Sequence, residues 1–491
     1  MGTLNNLRLT PVLCAALGAA AGFYFLYHTA FAAIVTVLLL SLASLCFFRV
    51  LASLYSQSRK LQLTAVCSAS LAVGLFLGLC AADAGRGDVN FGIPVTGNAE
   101  NVTAIEGVLL EDPVIISGGK AMVSVSLRKC AGANGLRVSS SGEIIVFFPQ
   151  MNAEKLREFG RGTVIFADGR LRSGERGWTF SADSLHIIKP APSLERFRTG
   201  IRLGLIKRFS GESWSGLALA LLLGIKDNLD TDFAALYRGA GLSYILALSG
   251  MHLAILAALI TFILKKTLGL KASAITGALL IILYCLLVGP MPSLNRAALM
   301  YILGVIAVLG ALPKNAMSIL ALSFLIQITI TPAAGNSLSF ILSYLALLGI
   351  LIVSKAVVSL FAGKIPDFLL QPLSISVGAF LATAGVCSFA FGVIAPVGII
   401  AGLAIVPLTT VFMIGSLIWL VFSFLPLSSL LSMPLSVLYR LMELIASVSG
   451  RLPGISIESV TVLVLSLAII LLIIILDSRR RAVLLRLRPF N

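Results

Sequence analysis

Between residues 241 and 425 the chain carries a single acid, Asp367, against seven bases, and apolar runs of about membrane-spanning length separate those charges. A bilayer core about 30 Å thick takes about 20 consecutive apolar residues in a helix. With no water there to satisfy backbone groups, only helices or closed barrels cross it. Spans are expected over residues 241–264, 272–288, 294–312, 316–330, 338–353, 373–392 and 460–476. The apolar run 396–425 is broken at Pro407 and reads as two short spans or a re-entrant pair, and the spacing in 434–448 suggests an interfacial helix. The whole chain is 58% hydrophobic and 12% charged with a mean hydropathy of +1.02, more apolar surface than one water-soluble core can hide.

The first 82 residues add three runs, 11–27, 29–48 and 63–82, the first two forming a hairpin rather than a cleaved signal peptide. The fold class expected is therefore a polytopic α-helical membrane protein of about 10–12 spans or re-entrant helices. Lys and Arg gather on cytoplasmic loops. Placing Arg49, Arg59 and Lys60 inside puts the segment after residue 83 outside the cytoplasmic (inner) membrane, and the basic tail 479–491 in the cytoplasm. A net charge of +16 follows the same rule and does not by itself indicate nucleic acid. Seven cysteines without a C-x-x-C pair signal neither zinc nor a disulfide framework.

Residues 98–190 change character, with mixed charges and short alternating strands divided by Gly and Ser turns. Five strands are expected at 104–110, 121–127, 143–148, 163–171 and 178–188, with a short helix around 152–159. That order fits an inserted exterior five-stranded OB-like β-barrel. Such barrels hold single strands by stacking bases on aromatics in a basic groove, which makes Arg137, Phe147, Arg172, Trp178 and Phe180 candidate nucleic-acid contacts. Ten acids against eleven bases across residues 100–189 leave the barrel nearly neutral, so a purely structural role stays open.

Residues 195–238 link barrel and bundle. An amphipathic helix at 195–209, with Phe197, Ile201, Leu205, Ile206 and Phe209 on one face and a basic opposite face, is expected to lie in the interface against anionic lipid or an anionic substrate. The apolar run 214–224 is too short to cross and reads as a buried or re-entrant half-helix. Asp227, Asp230 and Asp232 read as capping residues rather than metal ligands.

The polar residues of the bundle, residues 239–478, concentrate in its first span: Tyr244, Ser249, Gly250 and His252, with Ser249 and His252 three apart on one helical face. Asn295 and Arg296 open a later span, and Arg binds phosphate through a planar fork of donors. Together these residues are expected to line a neutral to electropositive path suited to anions. Cation-coupled transport usually needs a carboxylate at membrane depth, and none stands in these spans. A serine hydrolase using Ser249 and His252 lacks a carboxylate to orient the imidazole. No nucleotide-binding or metal-hydrolase pattern occurs, so no enzyme activity, cofactor or metal is expected.

The stretch Gly-Leu-Ser-Tyr-Ile-Leu-Ala-Leu-Ser-Gly-Met-His at 241–252, preceded by Leu-Leu-Leu-Gly-Ile-Lys-Asp at 221–227, resembles the signature of the ComEC family of competence proteins. The resemblance takes in Pro292-Ser293-Leu294-Asn295-Arg296-Ala297, Leu338-Ser339-Phe340 with Tyr344-Leu345-Ala346, and the segment 396–407. It implies a channel carrying single-stranded DNA across the inner membrane during natural transformation, with an exterior OB-like domain and a helical competence domain forming the pore. Ser249-Gly250-Met251-His252 would be the family's Ser-Gly-x-His element and Asn295-Arg296-Ala297 its Arg-Ala element. Tyr244 stands where the family usually has histidine, and Gly402 where an asparagine is expected. The C-terminal metallo-β-lactamase-like domain of many relatives is lacking, so a nuclease, like a DNA receptor and a cytoplasmic motor or helicase, is expected as a separate partner. The competing class is a transporter of an anionic lipid or glycan precursor.

Overall fold

The computed structural model describes residues 11–26, 67, 70–78, 80, 82, 89, 91, 102–116, 119–132, 137–149, 156, 158–174, 177–312, 315–424, 428–452 and 454–486. The expected span at 29–48, the basic loop of Arg49, Arg59 and Lys60, most of the helix expected at 152–159, Lys314 and the last residues of the tail lie outside the described residues.

Eight strands form the inserted domain: β1 (Val102–Leu109), β2 (Val114–Ile115), β3 (Ala121–Gly132), β4 (Arg137–Ser139), β5 (Glu143–Phe148), β6 (Val164–Gly174), β7 (Gly177–Ala182) and β8 (His186–Lys189). Five of them close a ring in the order β1-β3-β5-β7-β6 and back to β1, antiparallel throughout except for β5 beside β7. This is the OB-type closure that the sequence led us to expect. Alternation explains it, since every second side chain of β3 points inward and Ile105, Val125, Val146, Ile165 and Phe180 are wholly buried between the walls. The single strand expected over 178–188 is two. Asp183 and Ser184 both turn their backbone N–H onto Asp168 O, at 2.7 and 3.3 Å, ending β7 before β8 begins.

α1 (Pro11–Leu26) lies against the helical residues 70–78 with almost no side chain between them. A Cβ on Gly18, Gly74 or Gly78 would run into a carbonyl oxygen of the opposing helix, the close small-residue approach that packs helices in lipid.

The linking helix is α2 (Ser193–Phe209), and its orientation corrects the expectation. Leu194, Phe197 and Ile201 face outward, whereas Arg198 is buried. Arg198 pairs with Asp112 of the barrel and with Glu195, and donates from Nε to Leu287 O at 3.0 Å and from Nη2 to Val288 O at 3.1 Å. Arg202 follows it, with Nε 3.3 Å from Asp112 Oδ2 and Nη1 donating to Val288 O at 2.7 Å. Exposed carbonyls at a helix C-terminus attract cations, and the barrel's carboxylate supplies the counter-charge that makes their burial tolerable. Burial works against the charge of Arg198, and Asp112 with Glu195 more than offsets it, so its pKa stands above the ordinary value. Arg202 is held below its ordinary value, chiefly by burial.

α3 (Ser215–Leu223) is the expected half-helix, nine residues long and buried from Gly216 to Leu223. Trp214, Phe209, Phe412 and Trp419 surround its start in edge and stacked contacts. α4 (Thr231–Gly239) starts on Asp230, whose side chain accepts from Asp232 N at 3.0 Å, while Asp227 Oδ1 accepts from Ile115 N of the barrel at 3.1 Å.

After a short turn, α5 (Ser243–Leu246), comes α6 (Gly250–Val288), which breaks at Gly269, where φ is 74°. Its halves fold back on each other, Ile260 reaching Gly277, so they match two expected spans. The rest are α7 (Pro292–Leu309), α8 (Ala316–Ile330), α9 (Leu338–Gly349) running through a π-helical turn into α10 (Lys355–Phe361), α11 (Asp367–Phe391), α12 (Val397–Phe422), α13 (Ser428–Ser449) and α14 (Ser459–Arg486). Among the described residues seven helices are long and apolar enough to cross a membrane, which makes this a multi-pass membrane protein.

Two expectations change here. α12 is one continuous helix through Pro407, neither a pair of short spans nor re-entrant, and Thr409 and Thr410 beside the proline donate back to Ile405 O and Val406 O. α13, expected to lie in the interface, is long and apolar enough to span and packs along α12.

Candidate functional site

The stretch 241–252 does not form the start of one long helix. Ala247 and Ser249 are extended, with ψ of 132° and 168°, and the helix restarts at Gly250. Ser249 is therefore an N-cap and not a residue on a helix face. Its backbone N–H donates to Nδ1 of His252 at 3.0 Å, and its hydroxyl lies 3.2 Å from the same nitrogen. An N–H can only donate, so Nδ1 accepts and the imidazole proton sits on Nε2. The pair caps the start of α6.

His252 is 1% exposed, and Nε2 has no hydrogen-bond partner among the described residues. It lines a cavity of about 130 Å³ between α2, α3, α6 and α12, whose other walls include Phe209, Leu222, Tyr284 and Met413.

Arg296 sits on the opposite flank of the same helix start. Pro292 opens α7 with its φ fixed and its N–H not needed, which sets Arg296 one turn in, only 5% exposed. The guanidinium rests on Gly250, where a Cβ would stand 2.5 Å from Nη2. Its Cζ lies 5.8 Å from the centre of the Tyr344 ring. The Tyr344 hydroxyl is 3.0 Å from Gln327 Oε1 and 3.3 Å from Ser323 Oγ, and Gln327 Nε2 donates to Pro292 O at 3.0 Å, tying α8 and α9 to the start of α7. Nε and Nη1 of Arg296 are buried and meet no acceptor, and among the described residues no carboxylate pairs with it. A buried charge left uncompensated costs several kcal/mol. A charged side chain buried within a bundle of membrane-spanning helices marks a working site by default.

The expected lining is thus not one surface. Residues 250 and 252 point about 200° apart around a helix of 3.6 residues per turn, so Gly250 meets Arg296 while His252 faces the other side. Tyr244 lies apart from both, about half exposed, with its hydroxyl where a Cβ on Gly402 would come within 2.8 Å. Asn295 is half-buried beside Arg296 on α7. Gln327 and Ser323 are site residues the motif reading missed, and Tyr344, quoted there within the family resemblance, was given no role in the site. A glutamine within the apolar run 316–330 was the signal available.

In the barrel, Phe180 is wholly buried in the core and offers no open stacking face, while Trp178 is half-buried and packs edge-on to Phe91 at 5.2 Å. Arg172 is exposed and Phe147 half-buried on the outer wall, while Arg137 lies 5.0 Å over the Phe166 ring.

With this geometry in place, likeness to other proteins can be read. A family model described as Competence protein matches residues 221–481, the segment from α3 to α14 that contains Gly250, His252, Arg296 and Tyr344. The chain is also similar to an uncharacterized protein of Aquifex aeolicus (strain VF5), 26% identical over 304 residues that cover 61% of this chain and 70% of that one.

Proposed function

The chain belongs to the competence protein family, whose name ties it to DNA uptake, and from that premise we propose that it is an inner-membrane channel passing single-stranded DNA into the cytoplasm. One observation supports this reading above the others: Arg296, a buried cation with two unused donor groups and no carboxylate partner among the described residues, at the start of a membrane helix and against the head of another. A phosphodiester supplies the missing negative charge and acceptor oxygens, and the neutral neighbours Tyr344, Gln327 and Ser323 leave nothing to repel it. Spans nearly free of carboxylates favour an anion over a cation.

On this reading passage of a strand requires the helices around Gly250 to part, because Arg296 is only 5% exposed. The barrel stands on the outer side, fixed to the head of the bundle through Asp112. On this reading a receptor and a motor or helicase act as separate partners.

Deleting the gene and following labelled DNA tests the assignment. Loss of internalisation, with DNA still held at the cell surface, is the expected result. Normal internalisation with altered envelope lipid or glycan would reject the channel and favour a transporter of anionic precursors.

A further inference from the structure

α2 is fastened on one side only. Arg198 and Arg202 turn inward to Asp112 of the barrel and to the carbonyls of Leu287 and Val288, and Phe209 is buried in the bundle. The opposite arc is bare: Leu194 and Phe197 are each 68% exposed and Ile201 38%, and a Cβ on Gly200 or Gly204 would meet no atom of the described residues. At about 100° per residue, Leu194, Ile201 and Phe197 share one strip of the helix, the two glycines come next, and exposed Arg196 and Lys207 close the arc. Glu195, the one acid of α2, is turned to Arg198, so the charge left on that arc is positive.

We propose that this arc rests in the headgroup layer of the bilayer on the barrel's side, with its apolar strip among the acyl chains and Arg196 and Lys207 on the phosphates of anionic lipid. Height comes from the anchor. Arg198 and Arg202 hold the last carbonyls of α6, a membrane-spanning segment that ends at Val288. Phe197 and Ile201 directly precede these arginines, so they stand one arginine's reach from the end of that span. Composition decides the occupant. Helices that lie in an interface pair an apolar strip with Lys and Arg on their polar side, and cations close to an anionic surface are attracted to it. The strip differs from the one expected from the sequence, since Leu205, Ile206 and Phe209 pack into the bundle and Leu194 takes their place outside. The barrel is then held twice, through Asp112 and through lipid, and the proposal does not depend on DNA passage.

The test uses the full chain in nanodiscs, with its seven cysteines replaced by alanine and one nitroxide label on Phe197→Cys, Ile201→Cys or, as the water reference, Ser173→Cys at an exposed position of β6. Collision with dissolved oxygen, which concentrates in hydrocarbon, is compared with collision with a nickel chelate, which stays in water. In discs containing phosphatidylglycerol, the labels at 197 and 201 are expected to show a high oxygen-to-nickel ratio and the label at 173 a low one. Discs of phosphatidylcholine alone are expected to lower the ratio at 197. Arg196→Gln with Lys207→Gln is expected to bring the phosphatidylglycerol value down to that same level. Ratios at 197 and 201 equal to that at 173 would overturn the proposal in favour of water. Suppression of both collisions would overturn it in favour of a protein occupant, a second copy if the labels also broaden one another. A ratio indifferent to lipid charge and to the two glutamines would overturn the role given to anionic lipid.

Discussion

The guanidinium of Arg296 lies on the Cα of Gly250, in space that any side chain at that position would take. A helix start and an arginine from another helix thus meet without a carboxylate between them. The partial positive charge of a helix N-terminus and a full cation on one spot repel each other, which is a poor way to stabilise a fold and a good way to hold an anion.

Gly250→Ala should push that guanidinium aside, because Ala297 Cβ closes the other approach at 3.2 Å from the new methyl. The protein should still insert and fold, since alanine favours the helix by about 1 kcal/mol over glycine. DNA internalisation should nevertheless fall well below that of the wild type. Membrane content by immunoblot alongside labelled-DNA uptake separates the two effects.

Asp112→Ala removes the counter-charge of buried Arg198 and half-buried Arg202 at the seam between barrel and bundle. Breaking such a pair costs about 3–5 kcal/mol. The purified protein should melt at lower temperature and α2 should become open to protease. A melting temperature equal to the wild type would show that the carbonyls of Leu287 and Val288 suffice for Arg198 and Arg202.

Gly349 of α9 and Gly378 of α11 cross face to face, a Cβ on Gly378 coming within 2.9 Å of Gly349 O, and Ser354, in the π-helical turn after α9, shares a hydrogen bond of 2.9 Å with Ser374 of α11. Gly378→Leu should cost about 1–3 kcal/mol through overpacking, read as earlier thermal aggregation in detergent. A serine exchange at Ser374 to alanine should cost less.

Glu111, on the barrel beside Asp112 and exposed at its surface, has its pKa raised by partial desolvation and then by the Glu143 and Asp112 charges. A folded-state pKa above the unfolded one means that the folded chain keeps a proton the unfolded chain has lost. This group's contribution to stability is therefore complete below the ordinary carboxylate pKa and is lost as pH rises through the folded value. Glu111→Gln should flatten that decline. Comparing melting of the two proteins from about pH 4 to pH 7 checks the sign, and a wild type that gains on the variant as pH rises would contradict it.

How much of this was readable beforehand differs by element. The barrel strands announced themselves because alternation is local and period two survives in any context, while the break at Asp183 and Ser184 depended on Asp168, fifteen residues away. Most spans were legible from hydropathy alone. The start of α6 was not, since Ser249, Gly250 and His252 stand inside a run hydrophobic enough to read as one span, and only the backbone shows that Ser249 is a cap. Arg196, Arg198 and Arg202 read as one basic face, and it took Asp112 and the carbonyls of Leu287 and Val288 to turn two of them inward. Arg296 was visible as a cation in a span, but its neighbours Gln327 and Tyr344 come from other helices, and no spacing rule joins them.

The central claim is that Arg296 meets the DNA strand, and uptake of labelled DNA in Arg296→Gln and Arg296→Lys strains tests it most directly. Glutamine keeps length and polarity without charge, and should stop internalisation while surface-bound DNA and the amount of inserted protein stay at wild-type levels. Lysine, a point charge without the fork, should retain part of the activity. Wild-type internalisation in the Arg296→Gln strain would contradict the account.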